Sequence, residues 1–240
     1  MAFKTAQSSK VIVGQVPFTG YLRQFSLDST MDVHDVTSLA DTSKAFIVGQ
    51  DTASLDLGLI LDTDTTADGL VDRAHNWKSS TPLPVTYGPE GLAALAPVLL
   101  VAAYEGQYST SSSVSGTVDA SISAQVDGWT DAGYSLEDVS AVTIDGNGTA
   151  RDLTAASSNG GVACLHVTAF SGLTSNDITI EHSVDGSTSW ATLVTFTQVT
   201  GVTSERVVVP VATTIRRHLR VVDNVTGSGS CTRQVSFARR

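Results

Sequence analysis

Five histidines, two cysteines and three tryptophans are the side chains of this 240-residue chain best suited to metal, nucleophilic or stacking chemistry. Their spacing decides what is open to them. His34, His75, His166, His182 and His218 form neither HExxH nor HxH, the spacings that bring two imidazoles onto one metal. His166 and His182 fall on separate expected strands and could approach, but a metal would need further ligands, and as cross-strand polar residues they read as surface features. Asp62, Asp64 and Asp68 resemble part of a calcium loop, yet the sixth position is Ala67 and the twelfth is Arg73, where such a loop needs Gly and a bidentate Glu. The acids better suit the positive end of a following helix. Cys164 and Cys231 stand 67 positions apart, which is neither a redox CxxC nor a metal cluster. Two buried free thiols are expected, with a bridge open only if their strands are neighbours.

Motifs for group transfer are missing as well. No GxSxG elbow, phosphate-cradling Walker loop or GxGxxG after a strand occurs, so acyl transfer, phosphoryl transfer and dinucleotide binding lack their usual supports. Gly146-Asn147-Gly148 reads as a turn. Carboxylate pairs for glycoside hydrolysis exist in any acidic β protein and carry no specificity. Trp77, Trp129 and Trp190 are scattered and read as core or boundary residues. No catalytic residue, metal ligand or cofactor is therefore assigned.

The elements that would position any site follow from composition and periodicity. Apolar residues make up 41% of the chain and charged residues 16%, too hydrophobic for disorder and too weakly charged for a coiled coil. An all-β fold with one short helix is expected. The formal charge of -10 disfavours tight binding to nucleic acid, where phosphate contacts dominate affinity. The N-terminal stretch lacks a basic region followed by an apolar run, so a cytoplasmic chain without a secretory signal is expected. The apolar segment 92–104 is broken by Pro97 and falls short of the ~20 residues that span a bilayer.

Alternation is clearest over 117–126, where Val118, Ala120, Ile122, Ala124 and Val126 share one face and Asp119, Ser121, Ser123 and Gln125 the other. A second case covers 54–61, with Leu55, Leu57, Leu59 and Leu61 opposite Ser54 and Asp56. Both read as strands with one dry and one wet face. Further strands are expected at 10–15, 22–27, 83–87 and 97–104, and Thr66 caps a helix over 67–78 that puts Leu70, Ala74 and Trp77 on one side. A polar, acidic stretch near 132–138 reads as a domain boundary. Beyond it seven short strands are expected, at 139–144, 162–170, 177–183, 191–196, 205–211, 218–225 and 231–237, a count that suits a small sandwich. Acids outnumber bases 14 to 6 over residues 1–130 and 10 to 8 over 131–240, so the first half carries the acidity. Arg216, Arg217 and Arg220 read as cross-strand ion pairs, and Arg239 and Arg240 as solvated tail.

The segment Gly20-Tyr-Leu-Arg-Gln-Phe-Ser-Leu, followed by Met31-Asp-Val-His-Asp-Val-Thr-Ser-Leu-Ala-Asp-Thr-Ser-Lys-Ala-Phe-Ile-Val-Gly49 and a leucine-alternating strand, resembles the tail tube proteins of long-tailed bacteriophages. Asp35, Thr37, Asp41, Ser43, Lys44, Phe46, Ile47, Gly49, Gly58 and Asp62 fill positions of the family pattern, while Leu39-Ala40 departs from its usual aromatic and Gly. The second half resembles the added Ig-like sandwich of many such proteins, through the phrases at 163–169, 180–193 and 217–222. The resemblance implies a tail-tube-type β-sandwich or barrel domain over 1–135, ring-forming and lumen-lining. It implies an outward-projecting Ig-like β-sandwich over 136–240.

It further implies stacked, hexameric rings that conduct genomic DNA without binding it, in a virion tail assembled in the host cytoplasm. The implied partners are copies of the chain itself and the tape measure, tail tip and tail terminator proteins. Ser54, Asp56, Asp119, Ser121, Ser123 and Gln125 would then face the lumen. The stretch 30–51, too long for an ordinary hairpin connection, would stack rings through Asp32, His34, Asp35, Asp41 and Lys44, with Phe46 and Ile47 as apolar anchor. Two other classes stay open at this point: a capsid-decorating or receptor- or glycan-binding virion protein, and a hydrolase of a cell-envelope polymer.

Overall fold

The computed structural model describes residues 8–18, 20, 22–40, 42–60, 77, 79–112 and 116–240. Among them the long regular elements are all strands, and the fold is all-β as expected. The helix expected over 67–78 falls, apart from Trp77, outside the described residues, as do Asp41, Asp62, Asp64 and Asp68. The strands are β1 (Lys10–Val13), β2 (Val16–Pro17), β3 (Leu22–Asp35), β4 (Phe46–Ile60), β5 (Leu83–Gly88), β6 (Pro97–Ser112), β7 (Val118–Val126), β8 (Asp131–Ser135), β9 (Ser140–Val142), β10 (Gly146–Asn147), β11 (Arg151–Asp152), β12 (Gly161–Ser183), β13 (Ala191–Thr195), β14 (Thr203–Val209) and β15 (His218–Arg239).

Two compact units share these strands, and they alternate along the chain. One gathers the described residues of Met1–Gly20, Leu83–Leu100 and Asp131–Arg240; the other those of Tyr21–Pro82 and Val101–Thr130. A single cut near 132–138 is thus not how the compact units divide. Pairing gives the reason: β1 pairs with β5 and the first residues of β6 with β8, which itself joins β15.

The larger unit is organised by two very long antiparallel strands. β12 and β15 stay paired from Gly161 with Arg239 to Ser183 with His218, bending through irregularities between Val167 and Ser175. Four of the short strands expected from sequence are therefore halves of two continuous ones. Turn-like residues around 171–174 and 226–230 suggested breaks, but the ladder absorbs them as bulges, which bend a strand without ending its pairing. Gly229 is needed there, because a Cβ on it would lie 2.0 Å from the Ser171 carbonyl oxygen.

Either side of the bend, the two halves of β12 and β15 enclose one core. Ala163, Leu165 and Val167 enter it from the first half of β12, Ile178 and Ile180 from the second, and Leu219, Val221, Val235 and Phe237 from β15. The opposite face of the first half is also dry, with Val162 and Cys164 packing beside Ile12, Val98 and Leu100. Burial on both faces explains why 161–170 reads as an almost unbroken apolar run. His166 sits in that run with no exposure, and His182 is also buried, which corrects the surface reading of both. They lie on the same strand, not on two. Cys164 and Cys231 are buried free thiols, as expected, and burial pushes the Cys164 thiol up to about 12.

Several charged residues of this unit are tied down. Arg217 donates to Asp152 through Nε and Nη2 at 2.7 and 2.6 Å, and Arg220 to Glu181 at 2.8 and 2.6 Å while lying 4.2 Å over the Trp190 ring. Arg220 with Glu181 is a cross-strand ion pair as expected, Arg217 makes its ion pair from the residue before β15, and Arg216 instead donates to the Ser189 carbonyl at 2.8 Å. Arg239 and Arg240 are not a solvated tail: Arg239 donates to the carbonyls of Leu153, Ala155, Arg216 and Arg217, and Arg240 to buried Asp131. Strand pairing carries them into the structure, since β15 continues to Arg239. Arg233, 2% exposed, is neutralised inside the larger unit by Asp223 and by Glu137 at 2.7 Å.

The smaller unit is a four-stranded antiparallel sheet in the order β3-β4-β7-β6. Its dry face carries Leu55, Leu57, Leu59, Ala120, Ile122 and Ala124, all buried. Register makes these one face, because Leu55, Leu57 and Leu59 stand opposite Ala124, Ile122 and Ala120. Opposite residues of an antiparallel pair point to the same side, so the alternation seen in sequence is imposed on the whole sheet.

Candidate functional site

The other face of that sheet is polar and is not consumed by packing among the described residues. Ser54, Asp56 and Gly58 of β4 stand opposite Gln125, Ser123 and Ser121 of β7, and Ile60 opposite Asp119. The outer strands extend the same face with Gln24, Ser26 and Asp28 of β3 and with Gln107, Ser109 and Ser111 of β6. Ser121, Ser123 and Gln125 are exposed; Ser54, Asp56 and Asp119 are half-buried. All six residues that the alternation placed on one wet face thus share it.

Hydrogen bonds tie down Asp56, Ser109, Asp119, Ser121, Ser123 and Gln125 of this face. Ser123 donates to the Asp56 carboxylate. Ser109 and Ser121 share a bond of 2.7 Å, and Gln125 Nε2 donates to the Ala53 carbonyl at 2.7 Å. Asp119 accepts from Thr117 Oγ1 at 3.0 Å and from Arg23 Nη1 at 3.3 Å. Arg23 was not singled out from sequence. A register shift between Leu22 and Gln24 places it in a bulge, and bulges re-aim a side chain in a way that alternation cannot foresee.

The second feature is the hairpin of β3 and β4 beyond the reach of β7. Pairing of β4 with β7 ends at Ser54 with Gln125, whereas β3 and β4 continue through Ser29–Ala53, Met31–Asp51, Val33–Val48 and His34–Ile47 to Asp35–Phe46. The expected long loop over 30–51 is therefore an arm of paired strands with a ten-residue turn over 36–45. Its β propensity was masked by Asp and Gly, but the ladder tolerates them by a second shift between Met31 and Val33. Gly49 is required at that place, since a Cβ would lie 2.9 Å from both Asp32 Cβ and His34 Nε2.

The arm holds its apolar side chains in the open. Met31, Val33, Phe46, Ile47 and Val48 are 52 to 64% exposed. Phe46 and Val48 alternate with Ile47, so both faces of the ribbon are apolar. Asp32, His34 and Asp35 lie on β3, Lys44 in the turn, and Phe46 and Ile47 at the start of β4, all exposed. Asp35 caps the turn by accepting from the Thr37 amide at 2.9 Å and from its hydroxyl at 2.5 Å, and these bonds hold its carboxyl below the usual range.

No family model and no curated protein matches the chain. Among solved structures, one similar chain belongs to the virion of a native gene transfer agent particle, at 12% identity and a TM-score of 0.42, covering 53% of this chain and 97% of that one. Another is the Dit protein of phage SPP1, described as a hub adsorption apparatus of phages that infect Gram-positive hosts, at 9% identity and a TM-score of 0.38, covering 96% of this chain and 98% of that one. Likenesses this distant do not bear on function.

Proposed function

We propose that this chain is a structural subunit of a phage tail, closing into rings, hexameric by family resemblance, that stack into a conduit for genomic DNA. The observation that carries the reading is the four-stranded sheet with one dry face, one polar face and, at its margins, β3, paired with β4, and β6, of whose sixteen residues the six of its other neighbour β5 cover only a part. A long strand at a sheet margin is a template for pairing with another chain, and closure into a barrel is the arrangement that removes it. Four is an even number. If β3 of one copy meets β6 of the next, every neighbour around the ring remains antiparallel, so the closed wall repeats the pairing of the subunit.

In such a ring the polar face lines the channel, with Ser54, Asp56, Asp119, Ser121, Ser123 and Gln125 in the wall. Its chemistry suits passage: three carboxylates, at Asp28, Asp56 and Asp119, face one guanidinium, at Arg23, where a DNA-binding surface would present many cations. The arm fits a contact between copies. A two-stranded ribbon is marginal alone in water, and five half-exposed apolar side chains are better covered than wet. Asp32, His34, Asp35, Asp41, Lys44, Phe46 and Ile47 are assigned to stacking between rings. Tape measure, tail tip and tail terminator proteins would be its partners in a virion tail built in the host cytoplasm. No catalysis is assigned.

The deciding experiment is negative-stain electron microscopy of the concentrated protein with light scattering for mass, repeated with a tail-tip initiator. Hollow rings or tubes are expected. A particle that stays monomeric in both conditions overturns the reading.

A further inference from the structure

We infer that Asp119 acts as a guard on Arg23, holding this cation of the polar face away from the phosphodiester backbone of passing DNA. This rests on the channel reading above and adds to it a residue pair with a defined task. Among the described residues at 22–28, 54–60, 104–112 and 118–126, Arg23 is the single Lys or Arg. Its bulged position brings it to the polar face, and it reaches over β4 to the carboxylate of Asp119 on β7, two strands away. The strand it crosses presents Gly58, which has no side chain, and Ile60 there.

Stability does not account for the pair. The two side chains are 51% and 46% exposed, and exposed ion pairs contribute little or nothing measurable because solvent screens them and ordering two side chains opposes them. Placement gives it a consequence instead. In a ring each copy repeats the pair, so an unguarded Arg23 would form a circle of guanidiniums in the wall. Guanidinium binds phosphate through a planar fork, and several acting on one duplex would hold it. With Asp119 as internal partner the guanidinium is neutralised, and Thr117 Oγ1, bonded to the same carboxylate oxygen at 3.0 Å, fixes that partner in place.

The test uses assembled wild-type, Asp119→Asn, Arg23→Gln and Arg23→Gln/Asp119→Asn protein, with a fluorescein-labelled DNA duplex as probe and co-sedimentation as readout over a salt series. Asp119→Asn assemblies should retain at least about tenfold more duplex at low salt, with a loss on added salt approaching a logarithmic slope of about 0.9 per phosphate engaged. The single Arg23→Gln and the double variant should match the wild type. Equal retention by Asp119→Asn and wild-type assemblies overturns the guard role while leaving the channel reading intact, as does retention by the double variant that equals Asp119→Asn. Should Asp119→Asn not assemble, Asp119→Ser, which copies the serines already on β7, replaces it under the same criteria. A wild type that forms no hollow assemblies overturns both.

Discussion

Acidification should weaken the larger unit chiefly through His166. Its ring lies between Thr86 of β5 and the carbonyl of Gly14 beside β1, with Nδ1 2.6 Å from that oxygen and Nε2 2.7 Å from Thr86 Oγ1. A carbonyl only accepts, so Nδ1 carries the proton and Nε2 accepts from the hydroxyl. The imidazole is neutral, and a second proton would put a charge in a dry site. Burial, partly countered by the Gly14 bond, therefore depresses its pKa to about 4, against ~6.5 for a free imidazole. Between those values the unfolded chain binds more protons, so stability falls as pH drops from about 6.5 and the loss is complete below about 4. At ~1.4 kcal/mol per pH unit between the two values the full loss is about 3 kcal/mol, and about 2 kcal/mol at pH 5. With a slope of ~2 kcal/mol per M urea, the midpoint at pH 5 should lie about 1 M below that at pH 8. His182, also depressed by burial, acts in the same direction, so the comparison is with His166→Gln, which keeps His182. That variant is less stable at pH 8 and should show a visibly shallower fall. Parallel curves for variant and wild type between pH 8 and 4.5 would refute the assignment.

Three other outcomes follow from the architecture. Replacing Asp56 and Asp119 together by Lys should leave assembly intact but slow or jam genome ejection, measured as DNA release from particles; unaltered kinetics would remove both residues from the channel wall. Deleting 36–46 should abolish polymerisation in light scattering while circular dichroism still reports a folded β protein, because its described residues are exposed apart from half-buried Ala45; normal tubes from this deletion would refute its stacking role. Asp223→Ala should cost about 3 kcal/mol in urea unfolding, because Arg233 is left buried with Glu137 as its remaining partner, and a change below about 1 kcal/mol would show that Glu137 suffices.

Local period, not long-range pairing, was what the amino-acid order made legible. Six polar positions at 54–56 and 119–125 could be assigned to a face because strict alternation survives any arrangement of neighbours. The same argument fails at Arg23, where one extra residue in β3 changes which side a chain position serves. It fails again at β12 and β15, whose midpoints look like turns. Gly172 and Gly227 adopt positive φ of 74 and 101 degrees, and in isolation such residues end strands; a partner bending at the same level turns them into a corner instead. Burial of His166 was hidden for a related reason. Its environment is made by Gly14 and Thr86, distant in sequence, and β1 and β5 reach it only through the interleaving of the first unit.

The strand count of the smaller unit ties copy number to channel size, which gives the ring reading a quantitative exposure. Strands lie about 4.8 Å apart and tilt by roughly 40 degrees in a closed barrel. Each copy, with four strands, then adds about 8 Å to the backbone diameter of the wall. Six copies give about 48 Å, and side chains on the inner face, half of the ~10 Å spacing between packed sheets on each side, reduce the bore to about 38 Å. Five copies give a bore of about 30 Å by the same relation. Cryo-electron microscopy of end-on rings measures symmetry and bore independently. The two should fall on this line whatever the symmetry proves to be, because the relation depends on β3, β4, β7 and β6 all standing in the wall. A six-fold ring with a bore near 20 Å would mean that fewer than four strands per copy line the channel, and the polar face of this sheet would then have to be placed elsewhere.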